Sequence, residues 1–103
     1  MNGKLLRVHI DRDDRWDGAP LYEAVVERCR AMGISGATVL SGVEGFGETG
    51  HIHRRRRELP LVVLVVDSVE NIERVIPYIE QMVPTGVIAI SDVEVIRVER
   101  SSN

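Results

Sequence analysis

Side chains and backbone groups that could bind an anion are concentrated in one glycine-rich segment, residues 45–58. Gly45, Gly47 and Gly50 satisfy the spacing G-x-G-x-x-G, and glycines let backbone N–H groups approach a phosphate or a carboxylate closely. A dinucleotide-binding strand–turn–helix unit is excluded, because a strand rather than a helix follows the segment. The pattern therefore predicts either an anion site at the base of a loop or a loop that holds no ligand.

A cationic block follows these glycines. It consists of His51, His53, Arg54, Arg55, Arg56 and Arg57. Guanidinium groups present planar pairs of donors that suit phosphate and carboxylate oxygens. The block predicts contact with a phosphorylated ligand or docking on an acidic protein; a solvated, charged loop tip is the alternative. We assign no metal, because the two histidines would need a third ligand from another copy of the chain.

No set of catalytic residues stands out elsewhere in the sequence. Cys29 is the only cysteine, and its place on an apolar helical stripe is typical of a buried structural thiol. A cluster of carboxylates lacks the spacing of a calcium loop and is interpreted as a solvated loop, at Asp11, Asp13, Asp14 and Asp17. The sequence contains no H-E-x-x-H motif and no Ser/His/Asp arrangement. We therefore expect a protein that is not an enzyme.

Composition and charge exclude several classes of partner. The chain has 103 residues and a formal net charge of −3, so binding to a nucleic-acid backbone is not expected. The longest apolar run, residues 61–66, is too short to cross a bilayer, and the N-terminal residues lack a signal-peptide pattern. With its single cysteine, the chain is predicted to be cytoplasmic, to bind no nucleic acid and to insert into no membrane.

Hydrophobic periodicity predicts an α+β fold in a single domain, residues 1–103. Strands are expected at residues 3–11, 36–44, 59–67, 87–90 and 93–98, the last two being two short strands or one bent strand. Helices are expected at 20–32, ending at Gly33, and after Asp67, which would cap the second helix; Pro77 would kink or end that helix. This order is the ferredoxin-like βαββαβ sandwich with an antiparallel sheet.

A sheet of this kind carries both helices on one face and leaves the other face open. The strand at 59–67 is almost continuously apolar, which is typical of a strand covered on both sides. Its outward side chains would form a large exposed apolar patch in a single chain. The residues alone therefore predict association between copies.

Several stretches resemble the bacterial family called domain of unknown function 190. The matching stretches are Pro20–Glu23, Gly36–Val39, Gly42–Gly47, Ile52–His53 and Leu59–Asp67. That family is in turn similar to the PII signalling proteins. The resemblance implies a PII-like fold, a homotrimer, and a long loop after the second strand (the T-loop of PII) at about residues 45–58.

The resemblance also implies a set of site residues. PII proteins hold nucleotides in clefts between subunits, against the base of the T-loop and a second loop called the B-loop. The matching positions that we expect to bind ligand are Gly45, Phe46, Gly47, His51, His53, Thr85 and Gly86, and Arg54 of the cationic block is added as a replacement cation. Glu48 and Thr49 stand where PII has a glutamine for magnesium and 2-oxoglutarate, and Asp92 stands where PII has a phosphate-binding lysine.

These observations lead to two functional hypotheses. The first is a PII-like regulatory protein without a permanent cofactor. It would bind a small anionic effector, such as an adenine nucleotide or a bicarbonate-like ion, between subunits and modulate an unidentified partner protein through its loop. The alternative is a ligand-independent trimeric adaptor that docks an acidic partner through Arg54, Arg55, Arg56 and Arg57.

Overall fold

A four-stranded antiparallel sheet and two helices dominate the computed structural model, which describes residues 1–46, 50–52, 54 and 59–100. The elements in chain order are β1 (Asn2–Asp11), β2 (Arg15–Trp16), β3 (Ala19–Pro20), α1 (Leu21–Ala31), β4 (Thr38–Ser41), β5 (Pro60–Ser68), α2 (Val69–Met82) and β6 (Val87–Glu94). The sheet order is β4-β5-β1-β6, and every neighbouring pair is antiparallel. This arrangement confirms the predicted α+β, ferredoxin-like fold.

The core lies between the sheet and the two helices. Alternate side chains of the two central strands face the helices and are buried, namely Leu6, Val8, Ile10, Leu61, Val63 and Val65. They pack in one cluster with the apolar stripes of α1 and α2, and each side chain of this kind contributes about 1.5–3 kcal/mol when fully buried. Cys29 belongs to this cluster with only 1% of its surface exposed, and burial raises the pKa of its thiol. The prediction of a buried thiol is confirmed.

The C-terminus of α1 ends in a glycine turn, as predicted. Gly33 has a φ of 79°, a left-handed conformation that a glycine adopts at little cost. Its N–H donates to the carbonyl of Arg30 at 3.1 Å, and the N–H of Ile34 donates to the carbonyl of Cys29 at 3.0 Å. These two bonds form a Schellman motif, which satisfies the last carbonyls of the helix.

The start of α2 differs from the prediction, and so does its length. β5 continues through Ser68, whose hydroxyl accepts a bond from the N–H of Asn71 at 3.1 Å and caps the helix. The prediction that Asp67 is the cap is therefore wrong by one residue. Pro77 does not end the helix, which runs on to Met82; the proline lies on the exposed side.

Asp67 instead joins three segments of the chain. Its buried carboxylate accepts bonds from the N–H of Ser35 at 2.9 Å, the N–H of Ser68 at 2.7 Å and the side-chain amide of Asn71 at 3.0 Å. Burial alone would raise the pKa of Asp67, but these donors outweigh it and lower the pKa below the ordinary value. The carboxylate therefore stabilises the fold in its ionised form.

We expect Asp67→Asn to lower the free energy of unfolding by about 1–3 kcal/mol at neutral pH, because charge-assisted hydrogen bonds are lost. Because the folded pKa is depressed, the contribution is present above the unfolded value of about 3.9 and disappears as the pH falls through the folded pKa. Urea unfolding at about pH 7 measures the loss of unfolding free energy, and the same measurement at about pH 3 shows whether that loss disappears. Asp13→Asn is the control, because the Asp13 carboxylate is exposed and has no hydrogen-bond or ion-pair partner among the described residues. An equal deficit at both pH values would contradict this account.

A short hairpin and two strand boundaries were not predicted. β2 and β3 pair around Asp17 and Gly18, whose φ angles are 48° and 82°; Asp-Gly is a favoured sequence for this type I′ turn. β4 covers only residues 38–41 of the predicted 36–44, and β6 is one strand at 87–94. Within the described part of the chain, no helix is long and apolar enough to cross a membrane.

The sheet surface opposite the helices, here named the open face, is not covered by any element of the described part of the chain. Strand register places on it Leu5, Arg7, His9, Thr38, Leu40, Val62, Leu64, Val66, Val87, Ala89 and Ser91. Most of these side chains are apolar, and Leu40, Val66 and Val87 are exposed. The predicted uncovered apolar surface is therefore present.

Candidate ligand site at one end of the sheet

The base of the predicted T-loop is packed against the first residue of β5. The N–H of Gly42 donates to the carbonyl of Pro60 at 2.7 Å. A Cβ atom added at Gly42 would lie 2.7 Å from Cγ of Pro60, and one added at Gly45 would lie 3.1 Å from it. The absence of side chains at these two glycines thus lets the loop lie on the proline ring.

An ion pair closes the loop base. Nε of Arg54 donates to the carboxylate of Glu44, and both side chains are more than half exposed. Arg54, a predicted ligand residue, is thus paired with an acid of the same loop. Phe46 is 73% exposed and His51 is also exposed. Because exposed ion pairs stabilise by only about 0–1 kcal/mol, a bound anion could replace Glu44 as the partner of Arg54.

Five of the predicted site residues lie outside the described residues. They are Gly47, His53, Arg55, Arg56 and Arg57. Their roles in ligand or partner binding stay predictions.

Thr85 and Gly86 lie in the turn between α2 and β6. A shallow open depression there is lined by Glu80, Val83, Pro84, Thr85, Gly86 and Ile88. A Cβ atom added at Gly86 would lie 2.5 Å from the carbonyl oxygen of His9. Glycine at this position lets the turn pack directly on the last residues of β1.

The predicted loop follows β4 and the Thr85–Gly86 turn precedes β6, and these two strands form opposite edges of the sheet. β4 ends at Ser41, paired with Leu61 at the start of β5, whereas Val87 starts β6 and pairs with His9. β5 and β1 lie between β4 and β6, so the edges are about 14 Å apart at the usual strand spacing. Gly45 returns from the β4 edge to pack on Pro60 of β5, so the first described residues of the loop lie between the two edges.

Sequence reasoning missed Arg12, which crosses this end of the sheet. Its Nη2 donates to Oγ of Ser41 at 2.9 Å, and its backbone N–H donates to the carbonyl of Leu59 at 3.3 Å. Its Nε is buried and has no hydrogen-bond partner among the described residues. Arg12 links the end of β1 to both stems of the loop, but in the sequence it is one cation among neighbouring aspartates, and no motif marks it.

Asp92 does not face the Thr85–Gly86 turn. It lies six residues farther along β6, about 20 Å away at strand spacing, and its carboxylate accepts a bond from Nζ of Lys4 at 2.8 Å. This contact lowers the pKa of Asp92 and raises that of Lys4. The acid that stands in the place of the PII lysine is therefore engaged elsewhere.

Two relatives match this sequence over nearly the whole chain. The chain is 37% identical over 98 residues to a UPF0166 protein of Aquifex aeolicus (strain VF5), covering 90% of this chain and 92% of the relative. It is 33% identical over 104 residues to the UPF0166 protein MJ1524 of Methanocaldococcus jannaschii, covering 96% of each.

A solved structure has the same fold. CPII of Thiomonas intermedia K12, bound to ADP and bicarbonate, superimposes with a TM-score of 0.71 at 17% identity over 94% of this chain and 91% of CPII. CPII is described as a nitrogen regulatory PII-like protein. At this identity the likeness establishes the PII-like fold.

The family follows from the sequence match itself. The model of the family DUF190 (Uncharacterized ACR) matches residues 3–95, which include every element of the sheet and both helices. With two relatives above 30% identity, we conclude that the chain belongs to the DUF190 family.

Proposed function

We propose that this protein is a PII-like regulatory protein that binds an adenine nucleotide, together with or in place of a bicarbonate-like anion, in clefts between copies of the chain. Binding would order the loop at residues 45–58 and so change the affinity of the loop for a partner protein, which is an order–disorder switch. The observation that carries the proposal is the pair of arginines at the loop base, where Arg12 contacts Ser41 and Arg54 contacts Glu44. The loop follows the β4 edge of the sheet and the Thr85–Gly86 turn precedes the β6 edge, so in an assembly the β6 edge of a neighbouring copy can add its turn to the loop base.

The chemistry of the loop base favours an anion. The guanidinium of Arg12 contacts Ser41 and that of Arg54 contacts Glu44, so two cations lie at the loop base, and glycines keep the backbone accessible. Phe46 offers an exposed ring on which a purine base could stack. CPII, which shares the fold, was crystallised with ADP and bicarbonate, and this supports the choice of ligand.

The open face supports assembly into a homotrimer. Its apolar side chains would be buried if three copies packed with their open faces inward, which removes an apolar patch that a single chain would expose. A cyclic trimer also places the β4 edge of one copy beside the β6 edge of the next, which closes three equivalent clefts. The role would be regulatory rather than catalytic, and the cytoplasmic location stays a prediction from the sequence.

Thermal unfolding and calorimetry against ADP, AMP, ATP and bicarbonate test the proposal. A ligand at 100 times its Kd stabilises the folded state by about 2.7 kcal/mol, which shifts the melting temperature by several degrees. The expected result is a saturable shift with at least one adenine nucleotide. A folded, associated protein that binds no member of the panel would contradict the effector hypothesis.

Glu44→Gln locates the ligand within this proposal. The variant removes the carboxylate that neutralises Arg54, so the affinity for an anionic ligand should rise by about two- to five-fold, the range that an exposed ion pair allows. Glu27→Gln is the matched control, because Glu27 forms an exposed ion pair with Arg30 on α1. Equal affinities of the two variants would place the ligand away from Arg54.

The ligand-independent adaptor is the second candidate. The consecutive arginines at 54–57 are the feature that favours it. If it is right, replacing all four arginines with alanine abolishes capture of the partner at every nucleotide concentration. Capture that survives the replacement, or that follows the nucleotide concentration, would exclude the adaptor.

A further inference from the structure

The centre of the open face carries a positive charge. Arg7 lies at the middle of β1, opposite Leu64 of β5 and Ala89 of β6. Its guanidinium has no hydrogen-bond or ion-pair partner among the described residues. In the single chain the side chain is exposed, so water can solvate it.

Covering the open face removes this solvent. In the proposed trimer the middle of each sheet lies nearest the threefold axis, so three Arg7 side chains converge there. Burying a cation costs several kcal/mol unless it is paired, and three like charges at close range also repel one another. The apolar residues around Arg7 cannot offset this cost.

The described residues of the open face offer little compensation. Strand register also places Asp11, opposite Pro60, on this face; it lies four residues along β1 from Arg7, about 13 Å away at strand spacing. His9 lies between the two, opposite Val62 and Val87, and its ring can donate a hydrogen bond. The acceptors nearer to Arg7 are the neutral hydroxyls of Thr38 and Ser91, so Arg7 has no carboxylate beside it among the described residues of this face.

We propose that the trimer holds one small oxyanion on its threefold axis, bound by the three Arg7 side chains. This inference rests on the proposed trimer. A tetrahedral oxyanion such as sulfate or phosphate directs three equivalent oxygens toward three guanidinium groups, and Arg binds such oxygens with paired donors. The small side chain of Ala89 leaves room beside each arginine. The site is distinct from the clefts that would bind the effector, and its anion stabilises the assembly.

Calorimetric titration with inorganic sulfate, after light scattering has given the mass of the assembly, tests the site. We expect one sulfate per three chains and a melting temperature that rises by about 5 °C at saturation. Arg7→Leu should remove both effects while the trimer persists, because an apolar side chain often replaces a buried ion without loss. Arg7→Lys should bind sulfate more weakly. Arg30→Leu, an exposed arginine of α1, is the control and should bind as the parent does.

Three results would overturn the proposal. Sulfate that binds at one per chain and is unaffected by Arg7→Leu occupies the loop rather than the axis. If the trimer binds no sulfate, and if both Arg7→Leu and Asp11→Asn dissociate it, then Arg7 pairs with Asp11 of a neighbouring copy. A protein that stays a single chain in solution excludes the proposed trimer and the axial site together, whereas the first two results exclude the axial site alone.

Discussion

Val66→Asp should convert the proposed trimer into single chains. Val66 lies on the open face of β5 and is 42% exposed in the single chain, so the fold itself tolerates a polar side chain there. In an assembly that covers the open face, each copy would bury one uncompensated carboxylate, at a cost of several kcal/mol. Light scattering coupled to gel filtration would show the mass fall to that of one chain.

Tyr78→Asp is the matched control for this change. Tyr78 is 45% exposed and lies on α2, in the helix layer that covers the other side of the sheet. The two substitutions therefore cost the folded chain similar amounts, but only Val66→Asp alters the surface that we propose to be covered. A mass that stays unchanged in Val66→Asp, with circular dichroism showing a folded protein, would mean that another surface joins the copies.

Gly86→Ala should impair both stability and ligand binding. The new Cβ would lie 2.5 Å from the carbonyl oxygen of His9, a backbone atom of a central strand that cannot move freely. We expect the turn to shift away from β1 at a cost of about 1–3 kcal/mol. If the Thr85–Gly86 turn contributes to the cleft, the affinity for the nucleotide should fall by about ten-fold or more. A ten-fold loss corresponds to about 1.4 kcal/mol of binding free energy, which displacement of the turn can remove.

Gly36→Ala provides the comparison. A Cβ at Gly36 meets nothing within 4 Å, and its φ does not lie in the left-handed region, so the substitution should be neutral or stabilise by about 0.4–1 kcal/mol. Chemical unfolding and nucleotide calorimetry on both variants separate steric displacement from a general effect of losing a glycine. Similar stabilities and affinities for the two variants would mean that the close approach of Gly86 to β1 has no consequence.

Sequence patterns predicted the elements of the fold better than their ends. The stripes of α1 and α2 and the apolar run in β5 gave the order βαββαβ, because burial requires these periodicities. The cap of α2 was wrong by one residue, since Asp67 and Ser68 are both good caps and only the length of β5 decides between them. Pro77 was expected to kink α2 or end it early, and the helix in fact continues past it to Met82. The Asp17–Gly18 hairpin carried a recognisable signal that was not used.

The candidate site was predictable only in part. Glycines and arginines identified the loop, and the family resemblance identified Thr85 and Gly86. That the loop follows one edge strand of the sheet and the turn precedes the other depends on strand order, which local patterns do not encode. Arg12 escaped notice for a similar reason, because its contact with Ser41 joins residues 29 positions apart. Such contacts depend on tertiary packing rather than on neighbours in sequence.

Cys29 has a practical consequence for following the motions of this protein. The chain has no other thiol, and this one is sealed between α1 and the sheet. A thiol reagent can therefore modify the native chain only while the helix has separated from the sheet. Where the helix closes again faster than the reagent reacts, the rate of modification gives the free energy of this opening without denaturant. A second cysteine placed at an exposed loop position such as Val43 would react at once. The same chain would then carry a rapidly reacting thiol that reports on the loop and a slowly reacting thiol that reports on opening of the core.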